Sequence, residues 1–308
     1  MDALNARRRW DGWWFAPIPV ERVAIFRLLI TGFALIDVTL VSNYVLRYSQ
    51  VDRSFLDPVM LLEIPLRLGI EPVPSPGVHI ALHFVMALAL LASFLGYRTR
   101  LALAVAAPLY LYHWALFNSW GKVNHGKIPA VIALLVLVLA PAGYRYSLDA
   151  LRRRRQGRSV DDGALDPLAG WALRVVGFVV VASYPLSAIA KLLNAGPSWP
   201  LQPVVQSTLL RVDGPVAEAL ADRPGLLVVA QTVTFVAEFA AILILFGRWP
   251  RNVLLAFFGA FHLGSYFLLE TEFFGFLVCY AVFFDLEDIP ARLRNRLGPR
   301  KRGVVGVG

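Results

Sequence analysis

The chain has 308 residues, 57% of them hydrophobic, with one cysteine and a formal net charge of +9; its mean hydropathy is +0.60. That balance excludes a soluble domain and identifies a polytopic membrane protein. The positive charge does not signal a nucleic-acid partner, because the basic residues gather at the ends of apolar segments, as membrane topology demands. The lone cysteine, Cys279, excludes an intrachain disulfide and a cysteine-based metal cluster.

Residues 1–19 carry Arg7, Arg8 and Arg9 and then Trp10, Trp13, Trp14 and Pro17. No cleavable signal peptide is expected there; the segment reads as interfacial, since the amphipathic indole favours the headgroup level. With roughly 20 apolar residues needed to cross the hydrocarbon, about eight transmembrane helices are predicted. They run over 20–44, 77–96, 101–117, 128–143, 171–192, 226–246, 252–269 and 272–287. The fold class is therefore an all-α membrane helix bundle, with a transmembrane domain over 20–290 and a basic tail over 291–308.

The first helix contains Arg27 and Asp37, read as buried ion pairs or hydrogen bonds to loop backbone that fix helix registry. The loops 45–76 and 193–225 are long and Pro-rich with apolar stretches, so re-entrant or interfacial helices are expected in both. His79 and His83 open the second helix with the i, i+4 spacing that puts two imidazoles on one face. Two ligands make only a weak metal candidate; histidines at an aqueous interface are the preferred reading, and no metal is expected. The 144–170 segment, with Arg152–Arg155 and Arg158, reads as a solvated linker against anionic headgroups. Lys191 ends the apolar run 171–192, and Glu238 lies near the middle of the sixth helix. An ionisable group at such a place defaults to a functional hypothesis. Glu238 either fixes structure or tunes a neighbouring lysine or histidine.

Arg7–Arg9, Arg98, Arg100, Arg152–Arg155, Arg158, Arg248, Arg251 and Arg292–Arg302 fall on one side of this topology. The other side has fewer basic residues: Arg47, Arg53, Arg67, Lys122, Lys127, Arg211 and Arg223. The positive-inside rule then makes both termini cytoplasmic. All five histidines (His79, His83, His113, His125 and His262) fall in the outer half, together with Lys191, Glu270 and Glu272. A pocket opening outward is expected.

The ordered set Phe26-Arg27, Gly32, Asp37, Gly96-Tyr97-Arg98, Pro108, Tyr110, Asn124-His125, Ser147, Asp149, Tyr184, Lys191-Leu192, Trp199, Glu238 and Phe261-His262 resembles a known family. It is similar to the membrane part of the vitamin K-dependent γ-carboxylase and to the related HTTM (horizontally transferred transmembrane) proteins, over roughly residues 17–290. The resemblance implies Lys191 as the base that deprotonates reduced vitamin K or a menaquinone-like quinol, with His125 assisting. Apolar surroundings favour the neutral amine that such a base requires. It further implies Asn124, Tyr184, Trp199 and His262 around the cofactor, and a bacterial cytoplasmic membrane as the location.

The carboxylase's lumenal domain and disulfide cysteines have no counterpart in these residues, so a γ-carboxyglutamate precursor is not expected to be held in the carboxylase's way. The activity the resemblance implies (carboxylase or quinol epoxidase) is then conversion of a quinol, or modification of a peptide or small-molecule substrate brought by a partner. The alternative is a non-catalytic lipid- or quinone-binding protein that supports maturation or export of a secreted peptide. A transporter fits less well, since no internal repeat is evident.

Overall fold

The computed structural model describes residues 2–121, 123–161 and 163–289, so Lys122 and the expected basic tail lie outside the described residues. The described residues are all-α apart from one minimal strand pair. In order, the helices are α1 (Asp2–Trp14), α2 (Val20–Ile36), α3 (Met60–Arg67), α4 (Pro76–Leu95), α5 (Thr99–Phe117), α6 (Ile128–Leu137) and α7 (Leu148–Arg155). There follow α8 (Pro167–Ala195), α9 (Val204–Leu209), α10 (Pro215–Ala221), α11 (Pro224–Ala240), α12 (Arg248–Leu269) and α13 (Phe274–Cys279). Strand β1 (Ile18–Pro19) pairs antiparallel with β2 (Leu165–Asp166), Ile18 opposite Asp166. That pairing sets the starts of α2 and α8 side by side and defines a proximal end of the bundle; the end where both helices finish is distal.

Among the described residues, six helices are long and apolar enough to cross a membrane: Val20–Val41, Pro76–Leu95, Thr99–Phe117, Pro167–Ala195, Pro224–Leu245 and Arg248–Leu269. The chain is a multi-pass membrane protein. The fourth and eighth of the expected spans are the shorter apolar helices His125–Leu137 and Phe274–Phe283. The fourth stops early because Pro141 and Gly143 follow it, and because the carbonyls released beyond Leu137 find donors elsewhere. Arg100 donates to Val138 O at 3.2 Å, and Arg27 to Ala142 O at 3.0 Å and Tyr146 O at 2.6 Å.

Local sequence explains the helix ends. Asp166 caps α8 by accepting from Leu168 N and Ala169 N, with Pro167 at the first helical position. Ser147 caps α7. Gly96 closes α4 in the left-handed region at φ +69°. The start of α5 has no side-chain cap of its own; Asp149 of α7 supplies one, accepting from Arg98 N, Thr99 N and Thr99 Oγ1 at 2.7–2.9 Å. Burial pushes the Asp149 carboxyl up, but these bonds and the Arg153 charge outweigh it and hold it below its usual range. Thus Arg27, Gly96, Arg98, Ser147 and Asp149, dispersed through the chain, form one proximal knot. Arg27 is fully buried there and pairs with loop backbone, one of the two structural readings expected for it.

The core gathers Phe26, Ile30, Leu103, Leu134, Val180 and Phe258 from five of the long or short apolar helices. Apolar side chains also face outward, Phe84, Leu88, Leu186 and Phe267 each more than 60% exposed, as surfaces against lipid require. Each long loop has a small core of its own. Val45, Leu62 and Val73 pack on Ala115 and Leu116 of α5, and Leu209 packs with Ala217, Ala221 and Leu227. Both loops thus fold into short helices over the distal end.

Candidate functional site

Lys191 lies one turn from the C-terminal end of α8. Helical Cβ atoms tilt toward the N-terminus, so its side chain runs back along the bundle rather than outward. Its Nζ donates to Glu238 Oε1 at 2.5 Å and to Oε2 at 2.6 Å, and Ser187 Oγ donates to Oε1 at 3.3 Å. The ammonium also stands 4.6 Å from the centre of the Trp199 ring. The Glu238 side chain is 6% exposed and that of Lys191 22%, so the pair opens on the lysine side. A charge pair in low dielectric attracts strongly and needs good geometry to offset desolvation; contact with both carboxylate oxygens provides it.

The loop above this pair is fastened by a residue the sequence reading passed over. Gln231, buried one face-repeat before Glu238 on α11, donates to Trp199 O, Pro200 O and Gln202 O at 2.8, 3.1 and 3.0 Å. An amide amid GLLVVAQTVTFVAE was the available signal, since a buried amide must find partners. Trp199 itself packs against Phe235, ring centres 5.7 Å apart.

Tyr184 lies two turns before Lys191, on the same face of α8. Its hydroxyl is 2.8 Å from His262 Nε2 and also bonds the hydroxyl of Tyr280. Phe258 stacks on the Tyr184 ring at 3.8 Å, and Phe273 lies 4.6 Å from His262. His262 Nδ1 is buried without a hydrogen-bond partner. Expected cofactor neighbours Tyr184 and His262 therefore touch each other, and Trp199 touches Lys191.

His125 and Asn124 sit apart from this group. Asn124 spends its Oδ1 on Gly126 N, 2.8 Å, and its backbone N–H on Asn118 Oδ1, which shapes the turn into α6. His125 is exposed at the distal end, and no hydrogen bond, ion pair or ring contact joins it to Lys191 among the described residues. Close approach governs this corner. A Cβ on Gly126 would collide with Glu272 O, and one on Gly275 would come within 2.5 Å of Gly126 O.

A second buried lysine was counted only as a loop charge in the sequence. Lys127 Nζ donates to Asp37 Oδ1 at 2.7 Å and Ser42 Oγ at 2.6 Å, and lies 3.2 Å from Glu272 Oε1. Tyr110 donates to Asp37 Oδ2 at 2.8 Å. Asp37 opens a π-helical turn, Asp37–Val41, that ends α2 and turns Ser42 onto the same carboxylate. The ion pair expected for Asp37 is thus with Lys127, not Arg27.

His79 and His83 share one face of α4, and His113 of α5 comes to 5.9 Å from His83 between ring centres. The three line a very small cavity. Among the described residues no group of three or more histidine, cysteine, aspartate or glutamate side chains is placed to hold a metal ion.

No curated protein sequence and no solved structure matches the chain. The sequence profile of the HTTM domain, however, matches residues 15–287, which include both lysine clusters, the proximal knot and the Tyr184–His262 contact. The chain belongs to the HTTM domain family.

Proposed function

We propose that the protein is an integral membrane enzyme acting on a reduced, quinone-like lipid at the Lys191–Glu238 pair. The observation that carries this reading is a charged, half-open pair between two helices long and apolar enough to cross a membrane, capped by an indole and flanked by exposed Leu186, Ile189, Leu193, Val236 and Phe239. The residues suit such a ligand. Trp199 and Phe235 offer faces for a planar ring, the pair offers charge, and His262 Nδ1 is a buried polar atom with no partner.

A bound quinol supplies an acidic hydroxyl and two reducing electrons. The protein's part is proton transfer. Lys191, whose Nζ contacts both carboxylate oxygens of Glu238, is the group that takes the quinol proton, with Glu238 holding it in place. The ammonium so formed then holds the negative charge left where that proton departs. Ser187 and Trp199 position the two groups. Tyr184, on the face of α8 that carries Lys191, and His262 of α12 form a second hydrogen-bonded pair, and His125 enters through the family resemblance as the assisting group. Modification of a peptide or small substrate would follow from this proton chemistry.

A second reading is a non-catalytic lipid- or quinone-binding protein, favoured by the completeness of the Lys191–Glu238 pair, which needs no ligand to be satisfied. Lys191→Arg separates the two. Arginine keeps the charge but cannot supply a neutral amine base. Membranes bearing wild type or variant would receive reduced menaquinone or vitamin K with oxygen, and quinone epoxide would be read by mass spectrometry. Epoxide with wild type that is lost in Lys191→Arg, at equal folded protein, supports the enzyme. Absence of epoxide from folded, inserted wild type favours the binding protein.

A further inference from the structure

At the proximal end, opposite the lysine clusters, α2, α8 and α12 begin around a cavity of about 190 Å3. Three guanidinium groups line it: Arg22, Arg174 and Arg251. Their states differ. Arg22 is neutralised, bonding Glu287 through Nε at 2.7 Å and Asp285 through Nη2 at 2.6 Å. Arg174 donates only to backbone carbonyls, Ala16 O at 2.7 Å and Trp14 O at 3.3 Å, and feels the like charge of Arg22. Arg251 has a buried Nε with no hydrogen-bond partner, and its side chain has no ionic partner among the described residues. Two cationic groups therefore share a cavity with no carboxylate of their own.

The rest of the lining is apolar. Phe178, Ile244 and Phe283 form walls, and Trp13 closes one side. Phe178 and Trp13 are 45% and 43% exposed, and Phe246 and Trp249 beside the cavity are each 77% exposed. Charge thus lies inside, and an apolar rim leads outward at the level where tryptophan marks a bilayer interface. Unpaired arginines below a lipid-facing rim match one ligand chemistry, a negatively charged phosphate attached to an acyl chain. Arginine forks bind phosphate oxygens in pairs, which a lysine does not do.

We propose that this cavity holds the phosphate of an anionic phospholipid between Arg174 and Arg251, with its chains lying over Phe178 and Phe246. Under the charge bias of the loops, this lipid belongs to the cytoplasmic leaflet. The site is independent of the Lys191–Glu238 pair and of any chemistry there.

The test uses full-length protein purified in mild detergent and titrated with phosphatidylglycerol, phosphatidylcholine or inorganic phosphate, with bound lipid read by native mass spectrometry. Wild type is expected to retain phosphatidylglycerol over phosphatidylcholine. Arg251→Gln, which sacrifices no intramolecular bond, should weaken phosphatidylglycerol binding by about tenfold, the loss of one charge-assisted hydrogen bond. Its melting temperature in lipid-free detergent should stay at the wild-type value. Equal retention of the two lipids by wild type overturns the proposal without reference to any variant. So does unchanged binding in folded Arg251→Gln, and so does displacement of the lipid by millimolar inorganic phosphate, which would identify a soluble anion instead.

Discussion

Replacement of Lys127 by methionine should be among the most damaging single changes at the distal end. The side chains of Lys127 and Asp37 are 7% and 3% exposed, so solvent does not screen the pair. Methionine keeps much of the volume and removes the charge, leaving the Asp37 carboxylate with Ser42 and Tyr110 as its donors. Breaking a buried pair by deleting one partner costs about 3–5 kcal/mol. Glu272, its side chain 21% exposed, is a second and partly buried partner 3.2 Å from the same Nζ, and its loss adds to that cost. The lysine also lies 4.7 Å from the Phe117 ring centre, a contact worth about 0.5–2 kcal/mol. The double variant Asp37→Asn/Lys127→Met deletes both charges and should melt above Lys127→Met. Its coupling should be on the order of 2 kcal/mol or more. The assay is thermal unfolding of the detergent-solubilised protein by tryptophan fluorescence. Lys127→Met should lower the midpoint on the order of ten degrees. A variant melting within about two degrees of wild type, or a double variant losing the sum of the singles, would refute the buried-pair argument.

Two further outcomes test the proximal knot. Gly96→Ala should destabilise by at least about 2 kcal/mol, since a left-handed backbone and a collision add. A Cβ there would overlap the Ser147 Cβ and come within 2.8 Å of Arg27 Nη1. Gly157→Ala, at the same φ of +69° but with nothing within 4 Å, is the control and should cost only the backbone strain, about 1 kcal/mol. Asp149→Asn should reduce stability at neutral pH and flatten its acid dependence. The folded carboxyl titrates below its unfolded value, so its contribution is complete above about pH 4 and fades as pH falls through the lowered folded pKa. Melting curves of wild type and Asp149→Asn should therefore converge in acid; a constant gap down to the lowest pH at which both fold would contradict the assignment.

Several of the residues that govern this protein were visible in the sequence as anomalies. Arg27, Asp37, Lys191 and Glu238 stand out because a charge in an apolar run must be compensated. The requirement for a partner is local, but the partner is not. Asp37 finds Lys127 90 residues away, and Lys191 finds Glu238 47 residues away. Nothing in spacing or periodicity distinguishes Lys127 from the other loop cations, so its burial was out of reach. Nor does it show that His113 faces His83, or that Asp149 caps a helix beginning 50 residues earlier. The resemblance sets His125 and Asn124 beside Lys191; the structure shows Asn124 bonding Gly126 N and Asn118 Oδ1 at the turn into α6.

What the sequence by itself determined was the membrane character and the identity of the long helices, because burial in hydrocarbon demands apolar length and satisfied backbone within each segment. The caps Ser147 and Asp166 and the stop at Gly96 were likewise local chemistry. Tertiary structure alone decided which charge neutralises which and that three arginines gather at one cavity. Those outcomes depend on helix packing and on carbonyls and carboxylates brought from distant segments. Buried polar groups must be paired, but the chain order does not say with whom.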